Sequence, residues 1–178
     1  MDSTASSSTY LPIVKVNGIS GLISCPLSDG SVHHVTPPWR CVMDFAAIQQ
    51  RWIVFPQTGG HPLSWPMLDN EGKQLPRPVP TAENQRQDKE GNSQYPQKGF
   101  EILTYSNDKA ANGEVVGLRR WRSNSFSANG AMISVYDSWE EQQSQHSGQI
   151  AVVSVTPTPD TAKGNRAVFI PHMKIDSW

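Results

Sequence analysis

The amino-acid sequence predicts a mainly β protein with one helix towards its C-terminal end, on three observations. Segments rich in β-branched and aromatic residues recur at Gln49–Phe55, Phe100–Tyr105, Val115–Ser123, Gln149–Thr156 and Ala167–Ile175. One segment, Phe126–Gln143, instead carries apolar residues at helical spacing. The intervals are punctuated by turn formers; 13 Gly and 14 Pro in 178 residues are too few for a collagen-like chain and suit a turn-rich globular one.

Residues 1–9 are Ser/Thr-rich and are expected to form a disordered N-terminus. They show no basic region followed by an apolar run, so no secretory signal is expected. Residues 10–47 read as a β extension. In LPIVKVNGISGLI the Asn17-Gly18 pair signals a hairpin, and Val32–Val35 adds a short strand before Pro37-Pro38. In Gln49–Phe55, the run Trp52, Ile53, Val54 and Phe55 suits a buried pleated surface. Residues 69–98 are polar and hold Pro76, Pro78, Pro80 and Pro96, which predicts a long flexible loop.

Beyond the loop, strand alternation places Phe100, Ile102 and Thr104 on one face and Glu101, Leu103 and Tyr105 on the other. After a turn at Asn112-Gly113, Gly117, Arg119 and Trp121 share one face, opposite Val116, Leu118, Arg120 and Arg122. Ser125 is the expected helix N-cap, Phe126, Asn129, Met132, Ile133, Tyr136 and Trp139 or Glu140 the expected apolar stripe, and Gly148 the stop. Pro171 places the last strand at an edge or a bulge. Five strands with a helix between the third and fourth is the layout of an OB-fold, although other β-rich α+β folds share the order. The expected architecture is a five-stranded OB-like barrel over 48–178, with the N-terminal β extension packed on it.

Fifteen basic and sixteen acidic residues give a net charge of -1, which excludes a polycation but not a local basic groove. No apolar run reaches the roughly 18 residues of a membrane span, so a cytoplasmic protein is expected. Cys25 and Cys41 build no framework; reduced thiols are expected, with a single disulfide left open. Cys25, His33, His34 and Cys41 lack the paired spacing of a zinc site, so neither metal nor cofactor is expected. Nucleophile-elbow, phosphate-loop and metalloprotease motifs are missing, Asp137, Glu140 and Glu141 read as a solvated helix face, and no enzyme is expected.

Nucleic-acid binding on a sheet needs cations beside aromatic rings, because bases stack while Arg and Lys track phosphates. Arg119-Arg120-Trp121-Arg122 is the densest such cluster, and Tyr105, Phe100, Lys98 and Trp52 complete the candidate set. A plainer reading makes Trp121 a core residue and the arginines solvated edge residues. Lys98–Ser123 holds five basic and three acidic residues, whereas Asp137–Trp178 holds three and five, so charge is segregated along the chain.

The runs KGFEILTYS, GLRRWRSNS, YDSWEE, GQIAVVSVT and VFIPHMKIDSW together resemble phage- and mobile-element-encoded single-stranded-DNA-binding, OB-like proteins. The resemblance implies strand contact through Arg119, Trp121 and Arg122, and a role in DNA replication or recombination. It departs from the bacterial pattern in ending MKIDSW rather than in an acidic tail. The expectation is a non-enzymatic binder of single-stranded DNA, with RNA not distinguished and homo-oligomerisation compatible. The alternative is a structural or assembly protein, such as a virion component or complex subunit, acting through protein contacts.

Overall fold

The computed structural model describes residues 11–55, 62–79, 81, 86–87, 91, 93–160 and 168–178. The expected disordered segment 1–9 and parts of the 69–98 loop lie outside these residues. Among them, ten strands form one mixed sheet, curled into a half-barrel: β1 (Ile13–Val16), β2 (Ile23–Pro26), β3 (Val32–Val35), β4 (Trp39–Met43), β5 (Gln49–Val54), β6 (Leu63–Pro66), β9 (Gln97–Lys109), β10 (Val115–Ser123), β11 (Ala151–Asp160) and β12 (Val168–Ser177). Between them in the chain, β7 (Arg86–Gln87) and β8 (Ser93–Gln94) form a separate two-stranded ladder.

Each of the five expected segments contains a strand, with Ala167 outside the described residues, but they do not make a closed five-stranded barrel. The order is β12-β11-β4-β9-β10-β1-β2-β3, with β5 between β6 and β9. β1 pairs in parallel with β10, and β4 separates β9 from β11. The N-terminal strands therefore join the sheet instead of packing on a finished barrel. The physical reason is the length of β9, whose 13 residues outrun any single short partner. One edge pairs with β10; the other pairs with β5 through Gln97–Glu101 and with β4 through Thr104-Tyr105. A single 3-10 turn at Phe45–Ala47, capped by the Asp44 carboxylate, moves the chain from β4 to β5, and the Asp44 N–H bridges the gap by donating to Leu103 O at 3.1 Å.

The curl brings the two ends of the sheet together at one corner. Asn17 Oδ1 accepts the N–H groups of Ile19 and Ser20 and organises the turn joining β1 and β2. Phe169 N–H on β12 donates to Gly18 O in that turn at 2.7 Å. Gly21, at φ 70°, sits so close to the Phe169 ring that a Cβ would lie 2.5 Å from its Cδ1. Pro171 lies on β12, an edge strand, where its missing N–H costs no ladder bond.

Helix α1 (Phe126–Gln142) starts where expected, with Ser125 Oγ accepting the Ala128 N–H at 3.1 Å. Its buried residues are Ala128, Met132 and Val135, with Tyr136 and Trp139 packed on Phe45. The expected stripe is thus rotated: Phe126 and Ile133 face outward. The concave face of the sheet is filled by Val14, Ile23, Trp39, Cys41, Met43, Ile102, Val116, Trp121, Val153 and Val155.

Gly99 on β9 has no room for a side chain, because a Cβ would run into the Ser123 carbonyl oxygen and lie 2.8 Å from Ile53 Cδ1. Backbone cannot give way as a flexible side chain can. Gly99→Ala is expected to destabilise the protein by about 3 kcal/mol, read as a lower urea midpoint at unchanged slope.

Candidate nucleic-acid interface

The arginine and aromatic residues singled out in the sequence separate onto the two faces of the sheet. Trp121 faces inward at 1% exposure, edge-on to Trp39 (centroids 6.1 Å apart) and to Phe100 (5.4 Å). Neither Trp121 nor Phe100 presents an open ring face to a base; they form the aromatic centre of the core. Trp52 is also buried, with the Lys98 ammonium 6.0 Å from its ring centroid.

Arg119 turns inward with Trp121. Its Nη1 donates to Leu118 O at 2.9 Å and its Nη2 to Pro26 O at 3.0 Å, with Glu114 Oε1 3.8 Å away. Glu114 also accepts the N–H and hydroxyl of Ser28. These groups tie β10 to the end of β2, so Arg119 is a tertiary clamp. A buried guanidinium left unpaired would cost several kcal/mol, which is why carbonyls and a carboxylate surround it.

Tyr105, Arg120 and Arg122 stand on the outer face, as alternation requires. Glu101 joins the two arginines: Arg122 Nε donates to Oε2 at 2.6 Å, and Arg120 Nε lies 3.3 Å from Oε1. Tyr105 is 43% exposed. Register sets it in a lateral row, Val152–Val42–Tyr105–Leu118, across β11, β4, β9 and β10. Strands lie about 4.8 Å apart, so the row spans about 14 Å. On one side runs a parallel row, Lys174–Ser154–Arg40, in which Asp176 accepts from Ser154 and pairs with Arg40 at 3.3 Å. On the other side lie Leu103 and Arg120. The aromatic ring is therefore flanked by cations both ways.

Sequence reasoning did not find Val42, Val152, Arg40 and Lys174. The alternation of Trp39, Cys41 and Met43 would have placed Arg40 and Val42 on the face opposite the core. Nothing in the sequence registers β4 against β9. Among the described residues no group of three His, Cys, Asp or Glu side chains is arranged to hold a metal ion. No helix among them is long and apolar enough to cross a membrane. Comparison with protein-family models, curated proteins and solved structures finds no match.

The thiols of Cys25 and Cys41 are free and buried. Burial disfavours the thiolate, pushing Cys25 up to about 11 and Cys41 well above its ordinary value. At pH 8 both thiols should react slowly with a disulfide reagent in the native protein and rapidly in denaturant, because only about one Cys25 in a thousand is ionised. Trp121→Ala should cost about 3–5 kcal/mol of stability as a core truncation. Tyr105→Ala, which removes cross-strand contacts on an open face, should cost about 1 kcal/mol or less. Thermal and urea unfolding of the two variants check the contrast.

Proposed function

We propose that the protein binds single-stranded nucleic acid, DNA in the first instance, on the outer face of the sheet, in phage or mobile-element replication or recombination. The observation that supports it is Tyr105, exposed in mid-sheet with Arg40 and Lys174 to one side and Arg120 to the other. A base stacks on the phenol ring, and Val42 and Leu118 extend the apolar strip beneath its neighbours. The cations contact phosphates on either side. Stacking of this kind is tolerant of sequence, because every base offers a π face. The strand-contact role moves from Trp121 and Phe100 to Tyr105, and from Arg119 to Arg40, Arg120 and Lys174.

A second reading, a structural or assembly protein, is favoured by a different surface. Phe126 and Ile133 are exposed on α1, and Ile133 borders a groove of about 670 Å³ shared with Ile48, Met67, Leu68 and Met132. A stable multimer in light scattering, unchanged by an oligonucleotide, would favour it.

Fluorescence titration with oligo-dT tests the first reading. Three phosphate contacts on a single strand give a slope of about -2 in log affinity against log salt. Tyr105→Ala should weaken binding by about 1–3 kcal/mol, roughly fivefold to 150-fold, with the fold intact. Absence of binding at low salt would overturn the proposal.

A further inference from the structure

Below the Tyr105 row, the outer face carries three guanidinium groups around one carboxylate. Glu101 on β9 stands opposite Arg122 on β10 and Gln49 on β5; Arg120 lies two residues along β10, and Arg51 two residues along β5. Glu101 and Arg122 have side-chain exposures of 12% and 9%, whereas Arg120 keeps 33% and opens the cluster to solvent. Arg51 donates from Nη1 to Gln49 Oε1 at 3.0 Å and from Nη2 to Ser64 Oγ at 3.2 Å. Arg122 reaches Glu101 through Nε and Nη2, and Pro62 O through Nη1.

Two features of this cluster are incomplete. Arg51 Nε and Arg120 Nε are buried without a hydrogen-bond acceptor among the described residues; the Arg120 nitrogen is near Glu101 but not aligned to donate to it. Guanidinium groups do not deprotonate in proteins, so Glu101 offsets one of three positive charges and leaves two in a partly desolvated site. At Arg51 burial lowers the basicity most; the Glu101 carboxylate opposes it, and Arg122 and then Arg120 add smaller lowering contributions. Arginine is far more basic than the medium, so the charge stays and the repulsion with it.

A phosphate group supplies the missing acceptors and offsets the excess charge, by one unit as a phosphodiester and by up to two as inorganic phosphate, and planar guanidinium forks match it well. The geometry points to an anion site at Arg51, Arg120 and Arg122 that takes a phosphate group, with Glu101 as the internal carboxylate that spaces the guanidiniums. The inference rests on the reading of the outer face as a nucleic-acid surface for one source of that phosphate, a phosphodiester of the strand whose base stacks on Tyr105. Inorganic phosphate is the other source.

Calorimetric titration of the full chain with inorganic phosphate, at ionic strength held constant with chloride, tests the site. A parallel titration with oligo-dT separates the sources. Phosphate should bind the wild type, Arg51→Gln should weaken it at least tenfold, and Glu101→Gln should tighten it at least threefold. A gain in affinity cannot come from misfolding, and circular dichroism checks the Arg51 variant. Absence of phosphate binding, or equal affinity in all three proteins, would overturn the anion site even if oligo-dT binds through Tyr105. Phosphate binding with this variant pattern but no oligo-dT binding would leave the site standing for free phosphate and remove the nucleic-acid reading. Weaker oligo-dT binding in Arg51→Gln, with a salt slope reduced by about 0.7, would identify the phosphodiester as the source.

Discussion

The pairing of β9 along both of its edges is the constraint to which the rest of this fold is registered. A 13-residue strand needs more neighbour than any one short strand supplies, and here β4 and β5 share one edge while β10 runs along the other. The 3-10 turn between β4 and β5 lets one stretch of chain serve as two partners. Because the side-chain period of a strand is two, fixing β9 also fixes which residues of its three partner strands face the core. Phe100, Ile102 and Thr104 go inward with Trp121 and Met43; Glu101 and Tyr105 go outward with Arg122 and Val42.

The same alternation decides what each cation does. Arg119 and Arg120 are consecutive, yet one clamps β10 to the end of β2 through backbone carbonyls and the other stands beside a carboxylate with a third of its side chain in solvent. The inward arginine is held at both Nη atoms by backbone carbonyls, with Glu114 beside it, while its Nε has no hydrogen-bond acceptor among the described residues. The outward ones crowd around a single glutamate. A nearly neutral chain thereby acquires a face where Arg40, Arg51, Arg120, Arg122 and Lys174 stand against Glu101 and Asp176. Partial burial keeps solvent and salt from screening that excess fully, which is where such charges matter most.

Local features were legible where local physics decides them. Alternation gave the two faces of Phe100–Tyr105, the Ser125 cap started the helix, and Pro171 marked an edge strand. Val116 departs from simple alternation because the β9–β10 register shifts between Val115 and Gly117, which turns Val116 inward. The helix stripe was misplaced because Phe126 and Ile133 are apolar without being buried, and spacing alone does not distinguish an apolar residue from a covered one.

The sequence by itself determined the β character, the helix and its cap, the sides on which Tyr105 and Trp121 fall, and the near balance of charge. Each follows from neighbours within a few residues of one another. Only the tertiary structure decided that β1 pairs with β10, that β4 enters between β9 and β11, and that Trp121 is covered by Trp39 and Phe100. It also decided that Arg40, Tyr105 and Arg120 share one surface and that Arg51 joins Arg120 and Arg122 around Glu101. These juxtapositions come from register between strands tens of residues apart, set by how the whole sheet buries its concave face, and no local pattern encodes them.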